Sequence, residues 1–235
     1  MKALIYRELI LCRKNLAMVI GFIGVAGFML LVQLSFEIGN LSKLPPEATE
    51  AMGEAVIPMM LYMPAMIGCM LGTLCEVGVI KDLNPRWNRF RISTPVSAWK
   101  FSAARCIVFT SASLIGYGLS LAYAALVCAI RGEAFTLNIF AVITLILLGT
   151  TLFSTLFQLG IMLLGSSDKA GIVLLGLCMA VGAVFVYLTD PQNGIESGVL
   201  EKIPLAILPF SPLIFAALVA AGWAGTALLM KRREK

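Results

Sequence analysis

Aromatic and basic side chains are concentrated in one stretch of the chain, residues 76–105. Trp87 and Phe90 stand three residues apart, so in a helix they share one face. Tryptophan and arginine dominate the contacts that hold protein interfaces together. The stretch therefore predicts a docking surface for a protein partner, with an aromatic and basic anchor at a membrane surface as the alternative interpretation. The arginines beside the aromatic pair are Arg86, Arg89 and Arg91.

Helix boundaries within the same stretch define a short element. Asn84 is a good N-cap residue, and Pro85 after it suits the first position of a helix. Thr94-Pro95 ends that helix, because the residue before a proline is pushed away from helical geometry. The same pair is also a candidate cap for the next helix, which we expect to continue through Trp99.

A second polar group lies inside an apolar run. Its residues are spaced to fall on neighbouring positions of one helix, where they are candidates for lining a polar path. The alternative, which the sequence favours, is that the hydroxyls bond to their own helix backbone. The group consists of Thr151, Ser154, Thr155 and Gln158, with Thr150 beside them.

Most enzymatic chemistry is excluded by the residues that are missing. The chain has no histidine, which removes His-based acid–base catalysis, Ser-His dyads and His-ligated zinc. The predicted spans hold no paired carboxylates, and there is no GxSxG elbow and no GxxxxGK[ST] phosphate loop. None of the six cysteines forms a CxxC pair. We therefore expect no enzyme activity, no metal and no cofactor bound by this chain.

The composition is that of a membrane protein. Of 235 residues, 60% are hydrophobic and 13% are charged, about half the usual charged share of a soluble domain. A helix needs about 20 apolar residues to cross the hydrocarbon core. The sequence predicts one all-α transmembrane domain over residues 1–235, with no cleaved leader and six spans. The spans are approximately 16–36, 55–76, 104–130, 136–164, 170–188 and 206–230.

Charge predicts the orientation of these spans. If six helices cross in turn, fifteen of the 18 Lys and Arg residues fall on one side, and only Lys43, Arg131 and Lys202 on the other. Positive residues mark the cytoplasmic side, so both termini are expected there. The first 14 residues then form a helix at the cytoplasmic surface, with Met1, Ile5, Leu9 and Cys12 on its apolar face. A basic anchor that only sets topology is the alternative.

Two further features concern how the spans are packed and interrupted. Gly68 and Gly72 form a GxxxG pair, a spacing that lets helices approach closely; dimerisation through it is the less favoured interpretation. Prolines are dense before the last span, which predicts a broken or re-entrant segment over Asp190–Pro212. These prolines include Pro204, Pro209 and Pro212.

The order of these elements resembles the permease subunits of bacterial type-2 ABC exporters. The likeness rests on Glu76 after the second span, the stretch from Trp87 through Ser93-Thr94-Pro95-Val96-Ser97, and the run Trp99-Lys100-Phe101 into the third span. Leu208-Pro209-Phe210-Ser211-Pro212 and the basic C-terminus also fit the family's last span. Ile92 and Ser93 stand where the family usually has a leucine before the turn, which leaves the subfamily open.

The resemblance implies a half-transporter in the bacterial cytoplasmic membrane. A second copy or a paralogue would complete the pathway, and two separate ABC ATPase subunits would bind ATP and Mg. Residues 85–93 would be the coupling helix, Glu76 and Arg105 its hinge contacts, and the prolines at 204, 209 and 212 part of an outer gate. Export of an apolar or amphipathic peptide, lipid or drug is implied, with no nucleic acid partner. A stand-alone carrier or channel and a non-transporting immunity or scaffold protein are the alternatives.

Overall fold

The computed structural model describes residues 1–13, 21, 24–25, 27–28, 32, 61–75, 96–189 and 203–233. The regular structure in these ranges is all helical. Three helices are long and apolar enough to cross a membrane, namely Ala98–Arg131, Leu137–Leu164 and Ile203–Arg232. The all-α class is therefore confirmed for the described residues, together with helices of membrane-spanning length. Most of the predicted first span and residues 55–60 of the second lie outside them.

The helices are numbered here in chain order. The last turn of the apolar helix α2 is part of a 3-10 segment that runs from Met70 to Cys75. Residues 203–207 are helical and lead through a 3-10 turn, Leu208–Phe210, directly into α6. The bounds are α1 Lys2–Arg13, α2 Leu61–Thr73, α3 Ala98–Arg131, α4 Leu137–Leu164, α5 Ser167–Thr189 and α6 Ser211–Arg233.

Helix α3 begins earlier than the uncharged run predicts. Its N-cap is Ser97, whose Oγ accepts a hydrogen bond from the backbone N–H of Lys100 at 3.4 Å. The assignment of this cap to Thr94-Pro95 is thus wrong, and the helix starts six residues before the predicted 104. The extra residues include Trp99 and Lys100, because a helix end that projects from the hydrocarbon core tolerates charge.

Helix α4 agrees with its predicted limits of 136–164 to within one residue. The Thr136 hydroxyl accepts from the N–H of Ile139 at 3.4 Å and caps the start. Gly165 ends the helix at φ +71°, and its N–H donates to the Ile161 carbonyl at 2.9 Å. A left-handed residue here favours glycine, as is common at helix C-termini. Only Ser166 then separates this turn from α5, so α4 and α5 form a tight hairpin.

Neighbouring helices alternate in direction. Helix α2 packs antiparallel to α3, since residues at its N-terminal end, Leu61 and Ala65, share a core with Tyr123, Ala124 and Val127 near the end of α3. A Cβ at Gly116 of α3 would overlap the backbone oxygen of Gly68, and one at Gly72 would overlap the Ser113 hydroxyl. The GxxxG pair therefore serves close packing within the chain.

A second core lies at the other end of the bundle. There the start of α3 meets the end of α4, the start of α5 and the end of α6, with Leu4 of α1 packed against them. Ile5 of α1 packs beside it, on Val108 and Phe109. The cluster is formed by Ala98, Phe101, Ile161, Met162, Ala170 and Met230.

The described part of the predicted re-entrant segment is one helical run. Residues 203–232 form a single long apolar helix, interrupted only by the 3-10 turn Leu208–Phe210. Proline explains the turn, because Pro209 lacks an N–H and cannot donate to the helical ladder. Pro204 is half-buried, whereas Pro209 and Pro212 are exposed. The rest of the segment, residues 190–202, lies outside the described residues.

Candidate functional site

The N-terminal helix covers the start of α3 with a buried carboxylate. Glu8 is 2% exposed and faces Arg105, which is also 2% exposed. Arg105 Nε lies 3.6 Å from Glu8 Oε2, and Arg7 Nη1 lies 3.0 Å from Glu8 Oε1. Burying a charge is costly unless it is paired. Each of the two side chains therefore offsets the cost of burying the other, and the pair links α1 to α3.

An aromatic ring supports this pair. The Arg7 guanidinium carbon lies 4.6 Å from the ring centroid of Phe101, and that of Arg105 lies 5.5 Å from it. Both distances are within the range of cation–π attraction. Glu8, Arg7, Arg105 and Phe101, called here the α1 clamp, thus hold the N-terminal helix against the third.

Helix α1 packs on the rest of the chain through a face that only partly coincides with its predicted apolar face. Ile5 does pack inward, but Met1 and Leu9 are 54% and 52% exposed. The inward positions are Leu4, Ile5 and Glu8, which are neighbours on a helix surface. An apolar face chosen by hydrophobicity alone missed a carboxylate that tertiary packing buries.

Arg105, one of the two candidate hinge residues, lies inside α3, since that helix begins at Ala98. It pairs with Glu8 of α1. Glu76 lies outside the described residues, as do Pro85 and Pro95 and the coupling residues Arg86, Trp87, Arg89, Phe90 and Arg91.

The predicted polar group of α4 is buried as one face of the helix. Thr151, Ser154, Thr155 and Gln158 are each no more than 7% exposed. Thr151 Oγ1 donates to the Leu147 carbonyl at 2.8 Å, and Thr150 to the same oxygen at 3.0 Å, which is the own-helix bonding favoured by the sequence. Gln158 Nε2 donates to Ser154 Oγ at 3.4 Å.

Thr155 and Gln158 do more than bond along their helix. They line a small cavity between α3, α4 and α6, together with Arg105 of the α1 clamp. About 20 Å³ of it can be reached by the centre of a water molecule. The Ser102 hydroxyl at its edge donates to the Trp223 carbonyl at 2.8 Å. The other lining residues are Cys106, Phe109, Val219, Gly222 and Thr226.

The chemistry available here is binding and charge pairing. Within the described ranges, no group of three or more Cys, Asp or Glu side chains is placed to hold a metal ion. Near the cavity, Trp223 meets Trp99 edge to face with 5.4 Å between ring centroids. Tryptophans collect where a membrane meets water, so this pair suits the level of an interface.

Comparison of the chain with protein-family models, with curated proteins and with solved structures finds no match.

Proposed function

We propose that this chain is the membrane-spanning half of an ATP-driven ABC exporter. A second copy or a paralogue completes the pathway, and two separate ABC ATPase subunits bind and hydrolyse ATP with Mg. The cargo is an apolar or amphipathic peptide, lipid or drug. The protein lies in the bacterial cytoplasmic membrane, which it crosses six times, with both termini in the cytoplasm.

The observation that carries the proposal is the α1 clamp. A motor below the membrane can drive a gate only through a rigid link, because a loose segment absorbs the motion. The connection that contains Trp87 and Phe90 immediately precedes α3 in the sequence, and Ser97 is the N-cap of α3. Arg105, only a few residues further, locks α3 to α1 through Glu8. A push on the connection would therefore move α1 and α3 together.

Orientation and direction of the helices also support the proposal. Arg131 and Glu133, a pair 2.7 Å apart, lie at the opposite end of α3 from the α1 clamp. The clamp lies on the side where the basic residues are concentrated, and α2 to α6 alternate in direction as consecutive crossings require. An attached ATPase on that side would meet residues 76–97, the C-terminus and α1.

The chemical nature of the cargo is inferred from the surfaces of the membrane-spanning helices. The most apolar 18-residue window of the last helix has only 6% of its residues buried within the chain, and the helix presents Phe210, Leu213 and Leu228 outward. No charged side chain lies between Cys106 and Ile130 or within α4. Surfaces of this kind bind apolar or amphipathic molecules by area rather than by ion pairing.

The test is whether an ABC ATPase co-purifies with the chain. The tagged chain is purified from native membranes in mild detergent, and the proteins that accompany it are identified by mass spectrometry. We expect a P-loop ATPase with the wild type, and its loss in the double variant Trp87→Ala, Phe90→Ala, since interface aromatics of this kind each contribute about 2 kcal/mol or more.

The matched control removes two exposed aromatics from the other end of the bundle, Phe135→Ala with Phe210→Ala, which are 40% and 61% exposed. That variant should keep the ATPase. Absence of any ATPase from the wild type, under conditions that preserve a known ABC complex, would overturn the proposal in favour of a carrier or scaffold. Undiminished recovery with the Trp87/Phe90 variant would overturn the coupling-helix assignment.

A further inference from the structure

The cavity between α3, α4 and α6 contains a polar group that the protein leaves without a partner. Thr226 is 2% exposed, and its Oγ1 makes no hydrogen bond to any described residue. A buried hydroxyl is costly unless it has a hydrogen-bond partner. Thr226 is also one of the residues that line the cavity.

The other walls supply the remaining partners that a small polar ligand needs. Gln158 uses one amide hydrogen on Ser154 Oγ, so its second hydrogen and its oxygen are still available to the cavity. The Ser102 hydroxyl donates to the Trp223 carbonyl and keeps lone pairs that can accept. Thr155 adds another hydroxyl. A buried water usually makes about three hydrogen bonds, and this cavity offers at least that number.

The size of the cavity selects the ligand. A single water needs at least about 10–15 Å³ of space for its centre, and the cavity has about 20 Å³. A headgroup, a peptide or a drug is far too large. Gly222 contributes to the available room, since a Cβ there would lie 3.3 Å from Thr155 Cγ2.

We propose that this cavity is a binding site for one ordered water molecule, which accepts from or donates to Thr226 and bridges α6 to Gln158 of α4 and Ser102 of α3. The water joins the last helix to the two helices beside the α1 clamp. This site does not depend on the proposed transport function, and its test is independent of any ATPase.

Radiolytic footprinting of the wild-type chain in detergent tests the proposal directly. Hydroxyl radicals made from a bound water modify the side chains that touch it, even when those side chains are buried. Phe109 lines the cavity, whereas Phe101 on the same helix does not. The two rings are equally buried, at 6% and 7% exposed. We expect oxidation of Phe109 to be several-fold faster than that of Phe101. Equal protection of the two rings would overturn the proposal.

An isosteric substitution provides a second test, because the melting temperature should change in opposite directions with and without a bound water. If water bonds to Thr226, Thr226→Val removes one of the water's partners, and the melting temperature should fall by about 2–4 °C. If the hydroxyl has no partner, the same change removes a costly buried group and raises it. Thr151→Val is the control and should be near neutral, because the Leu147 carbonyl keeps its helical N–H. A raised melting temperature for Thr226→Val would overturn the proposal.

Discussion

At the scale of single residues, burial rather than distance decides which ion pair matters. In the described part of the chain, an arginine near each end of α3 pairs with a glutamate: Arg105 with Glu8, and Arg131 with Glu133. The Glu133 side chain is 53% exposed and lies 2.7 Å from Arg131, whereas that of Glu8 is 3% exposed and lies 3.6 Å from Arg105. Exposed pairs are worth about 0–1 kcal/mol, because water screens them. Removing one partner of a buried pair costs several times more, because the other charge stays buried.

We therefore expect Glu8→Gln to lower the free energy of unfolding by about 3 kcal/mol, and Glu133→Gln by less than about 1 kcal/mol. Thermal unfolding in detergent can be followed by a thiol-reactive dye, since Cys69 and Cys128 are buried in the folded chain. Equal shifts for the two variants would contradict this ranking and remove the α1 clamp as a determinant of stability.

The α1 clamp also shows where sequence reasoning stopped. Glu8 is the only acidic residue among the first 14, which also include the basic residues Lys2, Arg7 and Arg13. This difference in charge was the signal in the sequence that could have singled it out. Its partner Arg105 is distant in sequence, and no local pattern links the two. The own-helix bonding of Thr150 and Thr151 on α4 follows the interpretation that the sequence favoured, but the surroundings of the polar group were not predictable. Cavity walls such as Gly222 and Thr226 come from a different helix and follow only from packing.

At the scale of helices, glycine sets how closely α2 approaches α3. Gly116 is buried, and a Cβ there would overlap the backbone oxygen of Gly68, which cannot move without shifting α2. Gly118 is only two residues away on the same helix, but it is exposed and has nothing near its missing Cβ. The two positions differ in packing and share their helical context.

Gly116→Ala should destabilise the protein by about 1–3 kcal/mol, because overpacking forces the helices apart. Gly118→Ala should be neutral or stabilise by up to about 1 kcal/mol, since alanine is the better helix former. The same thiol-reactive melting assay measures both. If Gly116→Ala proved as harmless as Gly118→Ala, the close contact between α2 and α3 would be wrong.

Helix limits were predictable wherever capping residues sit beside the apolar run. Thr136 and Gly165 flank α4, and its predicted and observed limits agree to one residue. The sequence predicted that this helix runs through Trp99 into the third span, but it assigned the cap to Thr94-Pro95, whereas the N-cap is Ser97, another good capping residue. Hydropathy marks the part of a helix that meets lipid, whereas caps mark the whole helix.

At the scale of the whole molecule, α3 is longer than a membrane is thick. Its 34 residues span about 50 Å at 1.5 Å per residue, against about 30 Å of hydrocarbon. The excess, together with Trp99 and Lys100 at its start, suits an end that projects toward the basic side. Helix directions then place the α3–α4 turn on one face of the membrane and the α4–α5 turn on the other.

Single cysteines introduced into a cysteine-free background test this arrangement. Phe135 in the α3–α4 turn and Asp168 at the start of α5 are both exposed. With an impermeant maleimide on intact cells, Phe135→Cys should be labelled, and Asp168→Cys only after the cells are permeabilised. The reverse pattern would place the termini outside, and labelling of both in intact cells would exclude an α4 crossing.

The α1 clamp has a consequence for the order in which the chain is made. Glu8 leaves the ribosome 97 residues before Arg105, since 105 − 8 = 97. At roughly 5–20 residues per second, the acid is synthesised about 5–20 s before its partner. During that interval α1 has no α3 to cover, and burying an unpaired carboxylate is costly, so we expect Glu8 to stay hydrated. Helix α1 is thus made before α3 and can dock only once α3 has been synthesised.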